Sequence, residues 1–136
     1  MNTDQKLALV DIGHPKHLDK FANDEDEDVR AEVAKAGNDS HRDKLLKDSS
    51  AHVRRLVAKY GNNSHRDKLV NDPNSSVKKE IAEHGTDEHR EKLIKDPDWL
   101  TRSWVAKYGN KEHVTKLTKD EDPDVRNAAH ERLWDL

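Results

Sequence analysis

Glycine recurs every 24 residues in this chain, at Gly13, Gly37, Gly61, Gly85 and Gly109. Histidine keeps the same interval at His17, His41, His65, His89 and His113, and aspartate at Asp24, Asp48, Asp72, Asp96 and Asp120. Three series running in step, with no slip of register, leave few architectures open. A fixed period of about 20–50 residues marks an array of stacked supersecondary units. Each unit of such an array buries its apolar face only against its neighbours.

The array accounts for a composition that would otherwise suggest disorder. Charged residues make up 39% of the 136 and hydrophobic ones 32%, and mean hydropathy is -1.19. A balance of that kind usually fails to bury enough apolar surface to fold. A thin repetitive core needs only a few apolar side chains per repeat, provided that they recur in register, and here they do. The formal net charge of -3 supplies no general attraction to nucleic acid or anionic lipid. The absence of cysteine excludes disulfides, thiolate metal sites and cysteine nucleophiles. No apolar stretch approaches the roughly 20 residues of a membrane span, and the opening MNTDQKLALVDIG lacks the basic and apolar regions of a signal peptide. A single domain over 1–136, cytoplasmic and without a membrane partner, is the expectation.

Each repeat has two halves. The first reads VRAEVAKAG, VRRLVAKYG, VKKEIAEHG and TRSWVAKYG over 29–37, 53–61, 77–85 and 101–109. Val29, Val33 and Ala36 fall at i, i+4 and i+7, which predicts a helix with that face buried. The closing Asp, or a residue just after it, is the candidate N-cap, with Pro73 and Pro97 in the first turn. The glycine is the candidate stop, in the positive-φ conformation of a helix C′ residue. The second half reads HRDKLLKD, HRDKLVND, HREKLIKD and HVTKLTKD over 41–48, 65–72, 89–96 and 113–120. It predicts a short helix, α or 3₁₀, capped by Ser40 and Ser64 in two repeats, with Leu45, Leu69, Leu93 and Leu117 buried. Phe21 or Leu18 fills that place near the N-terminus, and Leu46, Val70 and Ile94 add a second apolar position. The fold class is therefore an all-α, right-handed α-solenoid of about five 24-residue, two-helix repeats. Residues 1–24 form an N-terminal cap and half repeat; 25–48, 49–72, 73–96 and 97–120 are full repeats. A capping helix occupies 121–136, with Leu133, Trp134 and Leu136 expected to cover that end.

The pattern D-x₄-V-R-x₂-V-A-x₂-G-N…L-x₂-D resembles the leucine-rich repeat variant, a relative of HEAT-type repeats, over essentially the whole chain. The resemblance implies a helical solenoid and a role as an interaction scaffold. It also implies that Arg30, Arg54, Lys78, Arg102 and Arg126 pair with the closing aspartates as a structural ladder. A row of phosphate ligands is the other reading of that series. This chain has His where the variant repeat commonly has Pro, and its lack of cysteine means that no attached metal cluster carries over.

The remaining series are weaker as sites. Lys20, Lys44, Lys68, Lys92 and Lys116 follow Asp19, Asp43, Asp67 and Glu91 in four of the five places, as on a mixed-charge solvated face. Stacked helices stand about 8–10 Å apart, while zinc ligands meet their ion at about 2 Å, so successive ladder histidines cannot share a metal. Their expected role is a bond to a turn carbonyl. No nucleophile elbow, P-loop or dinucleotide fingerprint occurs. No catalytic residue, metal or cofactor is predicted.

Function is sought where the repeats differ. One variable position holds Glu32, Leu56, Glu80 and Trp104, and the position four residues on holds Ala36, Tyr60, His84 and Tyr108. Leu56 and Tyr60 either fill grooves between repeats or present a surface. Trp99, Leu100, Trp104 and Tyr108 add bulk to the fourth repeat, and Trp and Tyr are favoured anchors of interfaces. The leading expectation is a non-enzymatic module that binds a protein, in a regulatory or inhibitory role, through Trp99, Leu100, Trp104, Tyr108, Leu56 and Tyr60. The alternative is nucleic-acid binding through Arg42, Lys44, Arg66, Lys68, Arg90 and Lys92 on the second helices. Self-association through the aromatic face is open.

Overall fold

The computed structural model describes every residue from Met1 to Leu136. It is all-α, with eleven helices in five pairs and a closing helix: α1 (Thr3–Ile12), α2 (Pro15–Phe21), α3 (Glu27–Ala36), α4 (Asp39–Leu45), α5 (Ala51–Tyr60), α6 (Asn63–Leu69), α7 (Ser75–His84), α8 (Asp87–Leu93), α9 (Trp99–Tyr108), α10 (Lys111–Leu117) and α11 (Pro123–Leu133). Two compact halves divide the chain, Met1–Leu69 and Val70–Leu136. In the first, α3 packs on α1 and α5, and α2 and α4 back the long helices on either side of them in sequence. In the second, α9 packs on α7 and α11, backed by α8 and α10.

The long helices begin at Asp26, Ser50, Asn74, Asp98 and Asp122, whose side chains accept first-turn amides. The closing Asp acts one step earlier: Asp24, Asp48, Asp72, Asp96 and Asp120 each accept the amide of that cap residue at 2.9 Å. Pro73 and Pro97 thus precede the cap rather than occupying the first turn, whereas Pro123 does start its helix. The buried sector holds Val29, Val33 and Ala34 in α3, and the corresponding residues of α5 and α7. It is centred between Val33 and Ala34, about 100° apart on the helical wheel. Ala36 falls outside it and is exposed, contrary to the simple i, i+4, i+7 reading. Arg30 lies inside it, which turns that guanidinium toward the interior.

Gly37, Gly61, Gly85 and Gly109 do not take positive φ; their φ values lie between -80° and -73°, in extended backbone. Only Gly13 has φ of +74°. Space, not conformational freedom, demands glycine at the other four. A Cβ there would stand 2.5–2.7 Å from the carbonyl oxygen four residues back.

The second helices are α rather than 3₁₀, seven residues each. A helix that short is unstable alone, so its caps and one buried leucine must hold it. Leu45, Leu69, Leu93 and Leu117 are buried, as are both Leu18 and Phe21. Each contributes about 2 kcal/mol by leaving water, far more than helix propensity offers over seven residues. Ser40 and Ser64 lie inside these helices; the caps are Asn38, Asn62, Thr86 and Asn110. At the C-terminus Trp134 is 90% exposed and Leu136 exposed, so neither covers the core as expected.

One core place breaks the pattern. Val29, Val53, Val77 and Val125 are fully buried, and in α9 the same place holds Thr101, equally buried, with Oγ1 lacking any hydrogen-bond partner. Thr101→Val should therefore stabilise the protein by about 1 kcal/mol, seen as a melting temperature about 3 °C higher. A lower melting temperature would show that the hydroxyl contributes.

Candidate functional site

The ladder histidines are structural in a specific way. His41, His65, His89 and His113 are 0–3% exposed. Their Nδ1 atoms accept the amides of Asn38, Asn62, Thr86 and Asn110 at 2.9–3.2 Å. The cap side chain in turn accepts the histidine amide, as in a capping box with imidazole in place of Glu or Gln. A backbone amide can only donate, so Nδ1 is the acceptor and the proton sits on Nε2. From there it is donated to the preceding short helix: His41 to Asp19 at 2.6 Å, His65 to Asp43 at 2.7 Å and His113 to Glu91 at 2.7 Å. The expected bond to a turn carbonyl is thus replaced by an amide on one side and a carboxylate on the other.

The basic series on the long helices pairs with the closing aspartates. Arg30 donates twice to Asp48, at 2.8 and 3.1 Å, and Arg102 twice to Asp120, at 2.9 and 3.1 Å. Lys78 meets Asp96 at 2.6 Å. Nη1 of Arg30, Arg54, Arg102 and Arg126 also donates to the backbone carbonyl of the preceding closing Asp at 2.7–2.8 Å.

Arg42, Arg66 and Arg90 turn back onto the long helices. Their Nε atoms donate to Ala34, Ala58 and Ala82 carbonyls at 2.7–2.9 Å, and Nη2 donates to Lys35, Lys59 and Glu83 carbonyls. These are the unpaired carbonyls of a helix C-terminus. Burial lowers the Arg66 pKa from its ordinary value. Asn62 first, then Arg42, hold the Asp39 carboxyl below the usual carboxylate range by hydrogen bonding. Lys44, Lys68 and Lys92 remain exposed. Lys44 and Lys68, with Lys47, border a groove of about 620 Å³ in the N-terminal half.

The aromatic candidates separate as well. Leu56 is buried, and so fills the core of its half. Tyr60 is exposed, with Lys59 Nζ 5.3 Å from its ring centre. On α9, Trp99 is 43% exposed at the helix start, and Leu100, Trp104 and Tyr108 are half-buried. Lys79 of α7 lies 5.5 Å over the Trp104 ring and Lys107 lies 5.3 Å over Tyr108, both within reach of cation–π attraction. Trp104 and Lys107 also line a groove of about 370 Å³ completed by α11 residues, among them Glu131 and Arg132. Sequence reasoning found the rings and missed the lysines. The Lys-Tyr pairs at 59–60 and 107–108 were the available signal; nothing local announced Lys79. Glu80 and His84, two of the variable positions, converge with Glu83 at the end of α7.

No family model matches the sequence, and no curated protein does. Among solved structures, a leucine-rich repeat variant with a novel repetitive structural motif aligns over 96% of this chain, with a TM-score of 0.82 and 26% identity. The chain spans 56% of the length of that structure. Two designed armadillo repeat proteins, one in complex with the peptide (KR)4, align over 98% of this chain and 86% of theirs. Their TM-scores are 0.40 and 0.37, and their identities 18% and 17%. The chain thus has an all-α repeat fold of the solenoid class, similar to that of the leucine-rich repeat variant.

Proposed function

We propose that this chain is a non-enzymatic interaction module that binds a protein through the α9 face, with Trp99, Trp104 and Tyr108 as anchors. The observation that carries the reading is Trp99: a large apolar ring 43% exposed, where the other repeats place Glu27, Ala51 and Ser75. Nothing in the core requires it, and Trp is the residue most enriched at the centre of interfaces. Lys79 and Lys107 above the neighbouring rings make the face cationic as well as aromatic. A partner segment with carboxylates beside apolar side chains is its complement. Repeat surfaces of this architecture mainly serve binding. No helix is long and apolar enough to cross a membrane.

The nucleic-acid reading is weakened by geometry: Arg42, Arg66 and Arg90 spend their donors on helix carbonyls, leaving Lys44, Lys68 and Lys92 as the free cations of that set. A pull-down from nuclease-treated lysate compares wild type with Trp99→Ala. A single protein should be retained near stoichiometry by wild type and lose about tenfold or more in affinity for the variant. The melting temperature should move by no more than about 2 °C, as for an exposed residue. Equal retention by both proteins would overturn the assignment of the face. Retention of nucleic acid alone, when nuclease is left out, would favour the lysine groove instead.

A further inference from the structure

We propose that the groove between α9 and α11 seats a side-chain carboxylate of the partner, with Arg132 as its anchor. The groove encloses about 370 Å³ and is bordered by Trp104 and Lys107 from α9 and by Ala128, Glu131 and Arg132 from α11. Nη1 of Arg132 is buried and has no hydrogen-bond partner. The other arginines of the chain all have one. Arg30 and Arg102 donate to aspartates. Arg42, Arg54, Arg66, Arg90 and Arg126 donate to backbone carbonyls. Arg55 meets His52 Nδ1 at 3.3 Å. Arg132 alone donates to nothing within the fold.

The repeat supplies a second, independent observation. Ala128 and Arg132 stand at the two variable positions of the long helices, where the preceding repeat has Trp104 and Tyr108. A small residue at 128 leaves the space beside Trp104 open, and position 132 holds an arginine in this helix alone. A guanidinium keeps its charge at any physiological pH. A carboxylate is the acceptor that its planar fork matches, through two parallel N–H···O bonds. The side chain borders the groove, so a turn about its own torsions carries its donors to an oxygen seated there. Lys107 brings a second positive charge to the groove, and Lys79 a third over its Trp104 wall. Glu131 and Asp135 border it too. Those two carboxylates repel a run of acids or a phosphate chain, and they leave room in charge for one carboxylate held directly on Arg132. The Trp104 ring and the Ala128 methyl suit an apolar side chain next to it. The occupant is a segment of the partner with one Asp or Glu between apolar residues. That it is a peptide rather than a small carboxylic acid rests on the protein-binding reading of the α9 face.

The test is an NMR titration of the intact protein with two blocked peptides, acetyl-Gly-Leu-Glu-Leu-Gly-amide and its glutamine twin. The glutamate peptide should shift the Trp104 indole and Arg132 Nε–H resonances, with a dissociation constant below about 1 mM. The twin should bind about tenfold more weakly, having lost a charge-assisted hydrogen bond. Arg132→Gln should bind the two peptides alike. Its melting temperature should stay within about 2 °C of wild type, because no bond within the fold is lost. Trp99 does not border the groove, so Trp99→Ala should leave the affinity for the glutamate peptide unchanged. Failure of the groove is thereby seen separately from failure of the Trp99 interface, which the pull-down reports. The proposal is overturned by the absence of any shift up to about 10 mM peptide, or by equal affinity of wild type for both peptides. A preference for glutamate that survives Arg132→Gln overturns it as well, as does inorganic phosphate that binds the groove as tightly as the glutamate peptide.

Discussion

Gly61→Ala should destabilise the protein by about 3 kcal/mol, lowering the melting temperature by about 6–12 °C. The backbone at Gly61, φ -77° and ψ -170°, suits any residue, so conformational strain contributes nothing. The loss comes from crowding. An alanine Cβ would lie 2.5 Å from the Val57 carbonyl oxygen and 2.5 Å from His65 Nδ1. The first of these is backbone and accepts the Gly61 amide at 2.8 Å. The second is a fully buried ring that accepts the Asn62 amide at 3.0 Å and donates to Asp43. Relief of either clash opens the end of α5 or breaks the capping box of α6, and overpacking of a tight site alone costs about 1–3 kcal/mol. Gly13→Ala is the control. Its Cβ meets nothing within 4 Å, but φ is +74°, so only the left-handed penalty of about 1–2 kcal/mol applies. Urea unfolding followed by circular dichroism ranks the two. A Gly61→Ala variant no weaker than Gly13→Ala would refute the crowding argument.

That contrast marks where the sequence was legible. The 24-residue period exposed the glycine as a fixed feature and placed it at the end of a helix, and the buried Val and Leu series followed from helical spacing. The reason for glycine did not follow. A helix-terminal glycine suggests positive φ, whereas the true constraint is crowding between the carbonyl oxygen four residues before it and the histidine four residues after it. The same histidine hid the caps. Ser40 and Ser64 are intrinsically good N-caps, yet Asn38 and Asn62 win because each can exchange hydrogen bonds with the imidazole three residues on. Trp134 misled in the opposite direction: apolarity near a terminus suggested a lid, and the structure leaves it in solvent. At the candidate interface the anchors were visible as departures from the repeat. Their cationic partners were less so, because Lys79 reaches Trp104 from another helix. The positions that repeat hold the fold, and those that break the repeat, Trp99 foremost, hold the candidate interface.

Arg102→Ala is the second large expectation, a loss of about 4 kcal/mol at neutral pH. Arg102 donates to both oxygens of Asp120, and its Nη1 donates to the Asp96 and Pro97 carbonyls at 2.8 and 3.1 Å. The two side chains are 9% and 8% exposed. Removal of one member leaves the other's charge buried without its partner, which costs about 3–5 kcal/mol. Arg102→Lys should lose much less, about 1–2 kcal/mol, because Lys78 performs the same task for Asp96 with a single contact at 2.6 Å. The pH dependence separates electrostatics from packing. Burial by itself would raise the Asp120 carboxyl, and the hydrogen bonds from Arg102 and the Asp122 amide outweigh it, so the group is held below the ordinary carboxylate value. A carboxyl depressed by folding stabilises the protein above its unfolded pKa of about 3.9, and that contribution is lost as pH falls through the lower, folded value. In Arg102→Ala the depressing partner is gone, and protonation of Asp120 relieves the buried charge. The stability gap between wild type and variant should therefore be widest near neutral pH and narrow steadily below about pH 4. A gap that stayed constant across that range would assign the loss to the arginine's packing and remove the ion pair from the account of what joins these repeats.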